Sequence, residues 1–229
     1  MDTITLTDAN FLYILQLASP SLPVGAYSYS EGLEMLVEKG MISDPASLKH
    51  WLEAELHYGA IRLDAAVMVR SVKLATIGDI SGLSHWNMWL SAARETQELR
   101  ASSWQMGRSL TQLLDKLQPD TVPLFKAVGN PCNYAIAFGI AVAHWQINIQ
   151  AALLAYLQSW ASNLITAGVK LIPLGQTAGQ ELLLDLQPFI STALAEILAL
   201  KDDELSCCSW GLSLASMQHE TQYTRLFRS

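Results

Sequence analysis

At 229 residues, 51% hydrophobic and only 15% charged, the sequence carries the core material of one large domain and less charge than the ~25% of an average soluble protein. A net charge of -7 without any Lys/Arg-rich block excludes the basic stripe that neutralises phosphates, so nucleic acid is not an expected partner. Cys132, Cys207 and Cys208 are odd in number and two are adjacent, which argues against a disulfide framework and for a reducing, cytoplasmic setting.

Met1 to Asn10 is polar, carries Asp2 and Asp8, and lacks the basic start and apolar core of a targeting signal. Thr7 and Asp8 read as caps of a short helix through Phe11, Leu12, Ile14, Leu15 and Leu17. It stops at Ser19-Pro20, because the residue before proline disfavours the α region. SPSLPVGAYSYSEG, from Ser19 to Gly32, is punctuated by two prolines and two glycines and reads as an ordered loop packing Leu22, Val24 and Tyr27. Asp44-Pro45 gives an N-cap followed by proline at the first helical position. The helix it opens runs through Leu48, Trp51, Leu52 and Leu56 toward Leu74, and Gly78-Asp79 breaks it.

Helical spacing resumes from Leu83 to Leu117 and ends at Pro119 and Pro123. Asn130-Pro131 repeats the cap-then-proline signal for a helix to about His144, and Asn148 caps the next one, to Leu171. The stretch Ala127 to Val169 contains no Asp, Glu, Lys or Arg, yet its longest strictly apolar run is Ala135 to Ala143. That is far short of the ~18 residues a spanning helix needs, so a buried helical hairpin is expected and no membrane contact. Pro173 and Gly175 separate this region from a helix over Gln176 to Leu200. The acidic turn Asp202 to Glu204 then precedes a final apolar segment and a tail, about 217–229. With no repeat, low-complexity tract or linker, the expectation is all-α, a single compact bundle of about 8–10 helices.

No catalytic constellation is legible. PLGQTAGQ, from Pro173 to Gln180, has glycines but lacks the lysine and hydroxyl pair of a phosphate-cradling loop. No Gly-x-Ser-x-Gly elbow occurs, and neither Cys-x-x-Cys nor His-Glu-x-x-His is present. His50 and His57 are seven apart, ~10 Å along a helix, too far to share one ion unaided. Cys207 and Cys208 read as a small core pair, and His219-Glu220 as solvated surface. Arg94 and Glu98, four apart, read as an ion-paired solvated helix face. The expectation is therefore neither an enzyme nor a holder of a resident metal or tightly bound cofactor.

Four segments resemble the UreF family of urease accessory proteins and together span most of the chain. They are LASPSLPVGAYSYSEGLE (Leu17 to Glu34), AARETQELRASSWQMGRSL (Ala92 to Leu110), AYLQSWASNLITAGVKLIPLGQTAGQELL (Ala155 to Leu183) with its nearly intact VKLIPLGQTAGQ, and the tail HETQYTRLFRS. The resemblance implies a helical, dimerising scaffold that binds the UreD (UreH) accessory protein and recruits the GTPase UreG to the urease apoprotein. Nickel would then pass transiently through the complex. Carried over residue by residue, it assigns partner binding to Lys170, Gln176, Gln180 and Arg225, then to Tyr27 and Tyr29, with the tail ordering against the UreD-type partner or packing on its own domain. A second reading is a nickel-binding metallochaperone using Cys207, Cys208, His219 and Glu220.

Overall fold

The computed structural model describes residues 6–207 and 209–228; Cys208 and the first five residues of the N-terminal stretch lie outside them. Among the described residues there are twelve α-helices, three short 3-10 turns and no strand, so the chain is all-α but more finely divided than its apolar periodicity suggests. The helices are α1 (Asp8–Leu17), α2 (Leu33–Glu38), α3 (Pro45–Tyr58), α4 (Ala60–Ile77), α5 (Ile80–Ala93), α6 (Gln97–Leu117), α7 (Val122–Val128), α8 (Tyr134–His144), α9 (Ile149–Leu171), α10 (Gln176–Asp185), α11 (Gln187–Ala199) and α12 (Trp210–His219).

The caps read from sequence hold at three starts. Thr7 Oγ accepts from Asn10 N–H, Asp44 and Ser47 form a reciprocal capping box around Pro45, and Asn148 accepts from the amides of Gln150 and Ala151. Three long helices are instead split. Gly59 separates α3 from α4, because the elbow brings its Cα so near residue 55 that a Cβ would stand 2.0 Å from the Glu55 carboxylate. Arg94 adopts an extended conformation that ends α5, and Thr96 restarts the chain by accepting from the Leu99 amide. Pro188, which has no N–H to continue a helix, lies just inside α11 and marks the bend between α10 and α11.

The start of α8 also differs. The Asn130-Pro131 bond is cis and the helix begins three residues later, with Asn133 at its N-cap. The fully buried Asn133 side chain does not cap. Its Nδ2 donates to the Asn87 backbone and side-chain oxygens and to Ser91 Oγ, and its Oδ1 accepts from Ser103 Oγ. Local cap chemistry therefore gives way to tertiary hydrogen bonding.

α8 is buried from Ala135 to Val142 and lies mainly against α4 and α6, while α9 packs on α1, α4, α10 and α11, so the two helices of the expected hairpin share α4 and otherwise have different neighbours. Tyr134 and Phe138 of α8 still meet Tyr156 of α9, with ring centroids 5.8 and 5.0 Å apart. No single helix among the described residues is long and apolar enough to cross a membrane. One core cluster takes residues from all twelve helices and from Phe227 of the tail.

Candidate functional site: strap, tail and the α9 face

Between α1 and α2 the chain crosses the bundle as an irregular strap, residues 19–32. Leu22 and Val24 are buried as expected, whereas Tyr27 is 66% exposed and Tyr29 is buried instead. The reason is the 3-10 turn at Ala26–Ser28, which swings residue 27 outward before the backbone extends at Tyr29. Asn163 of α9 fixes this course by donating to the carbonyls of Ala26 and Tyr29 at 3.0 and 3.4 Å.

Beneath the strap is a cavity of about 140 Å³ with a mixed lining. Apolar Leu22, Ile61 and Met106 share it with Glu31, Asp64, Arg94, Tyr134, Tyr156 and Trp160. Arg94 forms a buried ion pair with Asp64, so the solvated Arg94–Glu98 pair expected from spacing is not formed. Spacing failed there because Arg94 lies in the break between α5 and α6. Among the described residues, Asp64 Oδ1 and Arg94 Nε have no hydrogen-bond partner. Trp160 Nε1 donates to Glu31 at 3.0 Å, yet burial outweighs that bond and raises the Glu31 carboxyl above its ordinary range. Burial likewise raises the Tyr156 phenol, with Asp64 adding to the effect.

The tail packs beside the strap on its own chain, which was one of the two arrangements expected. Phe227 is 6% exposed, and its ring lies 5.5 Å from Lys170 Nζ. The amides of Leu226 and Phe227 donate to Glu34 at 2.6 and 2.9 Å, and the Arg228 amide donates to the Ser28 carbonyl at 2.8 Å. Arg225 reaches Glu98 at 3.4 Å.

His219 corrects the surface reading outright. It is fully buried, with Nδ1 3.0 Å from Glu98 and Nε2 3.2 Å from Glu34. Glu34, Glu98 and His219 thus clamp α2, α6 and the end of α12 where the tail begins. Only one signal for them existed in the sequence: Glu34 interrupts the apolar run Leu33, Met35, Leu36, so a carboxylate there needed an inward partner. Cys207 is half-buried and packs against the edge of the core cluster, while Cys208, its expected companion there, lies outside the described residues. The Cys207 thiol donates to Glu95, and burial followed by that carboxylate pushes it up to about 12.

Of the six residues assigned to partner binding, the structure brings four to this junction. Tyr27 and Tyr29 are on the strap, Lys170 touches the tail, and Arg225 is in it. Gln176 and Gln180 are exposed on the first two turns of α10, where Gly179 packs close to Val169 and Ile165 of α9. They extend the α9 surface rather than the strap. Next to the tail, α12 exposes Trp210, Leu214 and Met217 at helical spacing, and Tyr223 and Leu226 beyond it are also exposed. Such an apolar stripe on an otherwise folded helix marks a contact surface.

An all-α bundle whose unusual chemistry gathers under a strap, a docked tail and an apolar helix stripe has the form of an accessory protein that works through contacts. A family model for UreF matches residues 42–187. The chain is 79% identical to the urease accessory protein UreF of Nostoc sp. over the full length of both, and 58% identical to that of Microcystis aeruginosa, covering 98% of this chain and all of the relative. The UreF of Chromohalobacter salexigens is 41% identical, covering 94% of this chain and 93% of its own. The chain belongs to the UreF family of urease accessory proteins.

Proposed function

We propose that this chain is a cytoplasmic, homodimeric scaffold of urease maturation. It binds the UreD (UreH) accessory protein through its tail and the α12 stripe, and recruits the GTPase UreG to the urease apoprotein through Lys170, Gln176 and Gln180. Nickel is cargo of that complex, and its insertion is tied to GTP hydrolysis by UreG. The observation that supports the reading is the exposure of Trp210, Leu214, Met217, Tyr223 and Leu226 along α12 and the tail, which is bonded to the strap beside exposed Tyr27 through the Arg228 amide and the Ser28 carbonyl. Interface cores are depleted in charge and rich in such aromatic and methionine side chains.

The metallochaperone alternative is weaker on geometry. His219 is fully buried with both ring nitrogens against carboxylates, those of Glu98 and Glu34. The test is co-purification of the accessory complex with Lys170, Gln176 and Gln180 changed together to Ala. UreG is expected to drop out while circular dichroism stays native. Wild-type recovery of UreG with the triple variant overturns the assignment of these three residues.

A further inference from the structure

The cavity beneath the strap is open to solvent, because its lining includes the exposed Pro20, Tyr27 and Thr166. Its volume of about 140 Å³ is far more than the ~10–15 Å³ that one water needs, so it has room for a small organic molecule. The protein serves its polar groups incompletely. The phenols of Tyr134 and Tyr156 line it, and among the described residues neither makes a hydrogen bond. A tyrosine hydroxyl held inside a fold ordinarily has a partner, so two without one in the same cavity mark a place where a guest supplies it.

The charges do not balance either. Asp64 is paired with Arg94, and Glu31 receives a hydrogen bond from Trp160 Nε1 but, among the described residues, has no cation of its own. With both carboxylates ionised the cavity carries one negative charge in excess, and Glu55 lies within electrostatic reach of Glu31 to add to it. The raised Glu31 carboxyl is what a desolvated group without a close counter-charge shows. Beside these groups lie apolar Leu22, Ile61 and Met106. An anion would meet two carboxylates, and a neutral polar guest would leave the excess charge unanswered. A cation with several N–H donors and a short apolar stem answers every feature, and the surrounding rings attract it as well.

We propose that this cavity is a binding site for a small organic cation, an ammonium or guanidinium head on a short alkyl stem. The head donates its N–H groups to the Glu31 carboxylate and the Tyr134 and Tyr156 oxygens, and the stem lies against Leu22, Ile61 and Met106. Hydrogen bonds from a cation to a carboxylate are about twice as strong as neutral ones, so Glu31 is the main determinant of affinity. This goes beyond the scaffold role proposed above and is tested on the isolated chain, so its failure leaves that role standing.

The test is calorimetric titration of the full chain with n-butylguanidinium and with n-butylurea, its uncharged counterpart of the same shape. Saturable binding of n-butylguanidinium is expected, at least tenfold tighter than that of n-butylurea. In heteronuclear NMR the indole N–H of Trp160, which donates to Glu31, is expected to shift during the titration while that of Trp210, 75% exposed on α12, stays in place. Glu31→Gln keeps the shape and removes the charge, and is expected to weaken n-butylguanidinium binding at least tenfold with native circular dichroism. If it does not fold, Tyr156→Phe, which removes one accepting hydroxyl, serves in its place with an expected loss of at least threefold. No saturable binding to the wild type overturns the site, and so does equal affinity for n-butylurea. Undiminished binding to the folded variant, or a titration that leaves the Trp160 indole unmoved, overturns it too, because the cation would then be held elsewhere on an acidic protein.

Discussion

Gly107 of α6 lies against the carbonyl oxygen of Cys132: a Cβ at residue 107 would stand 2.0 Å from that oxygen and 2.9 Å from the Tyr134 nitrogen. Both obstacles are backbone, so no rotamer change relieves the clash. Gly107→Ala is expected to destabilise the protein by about 3 kcal/mol or more, the upper end for overpacking, because α6 must move off the start of α8. Gly211→Ala, with nothing within 4 Å, is the control and should cost little. Urea denaturation midpoints of the two variants check the contrast.

Asn133 is the hub of a buried amide and hydroxyl network joining α5, α6 and α8, in which Asn87 also donates to the Pro131 carbonyl. Asn133→Ala leaves several buried donors and acceptors unpaired, at ~1–3 kcal/mol each before relaxation. The expected loss is about 3 kcal/mol, against about 1 kcal/mol for Asn148→Ala at an exposed N-cap. Thermal denaturation of the two variants should show the order; equal losses would mean that solvent rescues the network.

These two sites show what the sequence does and does not carry. Caps that act within four residues, as at Thr7, Asp44 and Asn148, are legible because donor and acceptor are neighbours in the chain. Asn133 has the same side chain as Asn148, but its partners lie some 30 to 46 residues away, and no local pattern announces them. Helical periodicity likewise passes unbroken through Gly59 and Arg94, since apolar spacing records which face is buried and not where the axis turns. The exposure of Lys170, Gln176 and Gln180 was readable from polarity. The clamp at His219 was not, because a His-Glu pair near a terminus looks the same whether it is solvated or faces Glu34 and Glu98.

Glu55 predicts a pH dependence. It is 7% exposed, accepts from Ser209 at 3.1 Å, and burial, then the nearby Glu31, raises its carboxyl from 4.5 to about 7. A folded-state value above the unfolded one favours the protonated form in the fold. The contribution is thus fully present below pH 4.5 and lost as pH rises through about 7. The loss is on the order of 3 kcal/mol between those limits. Glu55→Gln keeps a hydrogen-bonding side chain and cannot titrate. Its stability is expected to vary less between pH 5 and pH 8 and to exceed wild type at pH 8. Parallel pH profiles of Tm for the two proteins would refute this.

The tail yields the sharpest separation of stability from docking. Phe227 is buried but belongs to a terminal segment, so a variant can undock the tail instead of keeping a cavity, and the cost cannot exceed the free energy of docking. Phe227→Ala is therefore expected to cost about 1–2 kcal/mol, less than the 3–5 kcal/mol of Phe138→Ala in the fully buried α8. Arg225→Ala removes an ion pair whose arginine side chain is 40% exposed, which is worth under about 1 kcal/mol once water screens it. Arg225→Ala should melt close to wild type yet weaken capture of the UreD-type partner. Phe227→Ala should lower Tm modestly and speed hydrogen exchange at the Leu226 amide that Glu34 holds. If Arg225→Ala captures the partner at wild-type affinity, the arginine serves only its own bundle. If Phe227→Ala costs as much as Phe138→Ala, the tail is an integral part of the core and not a dockable segment.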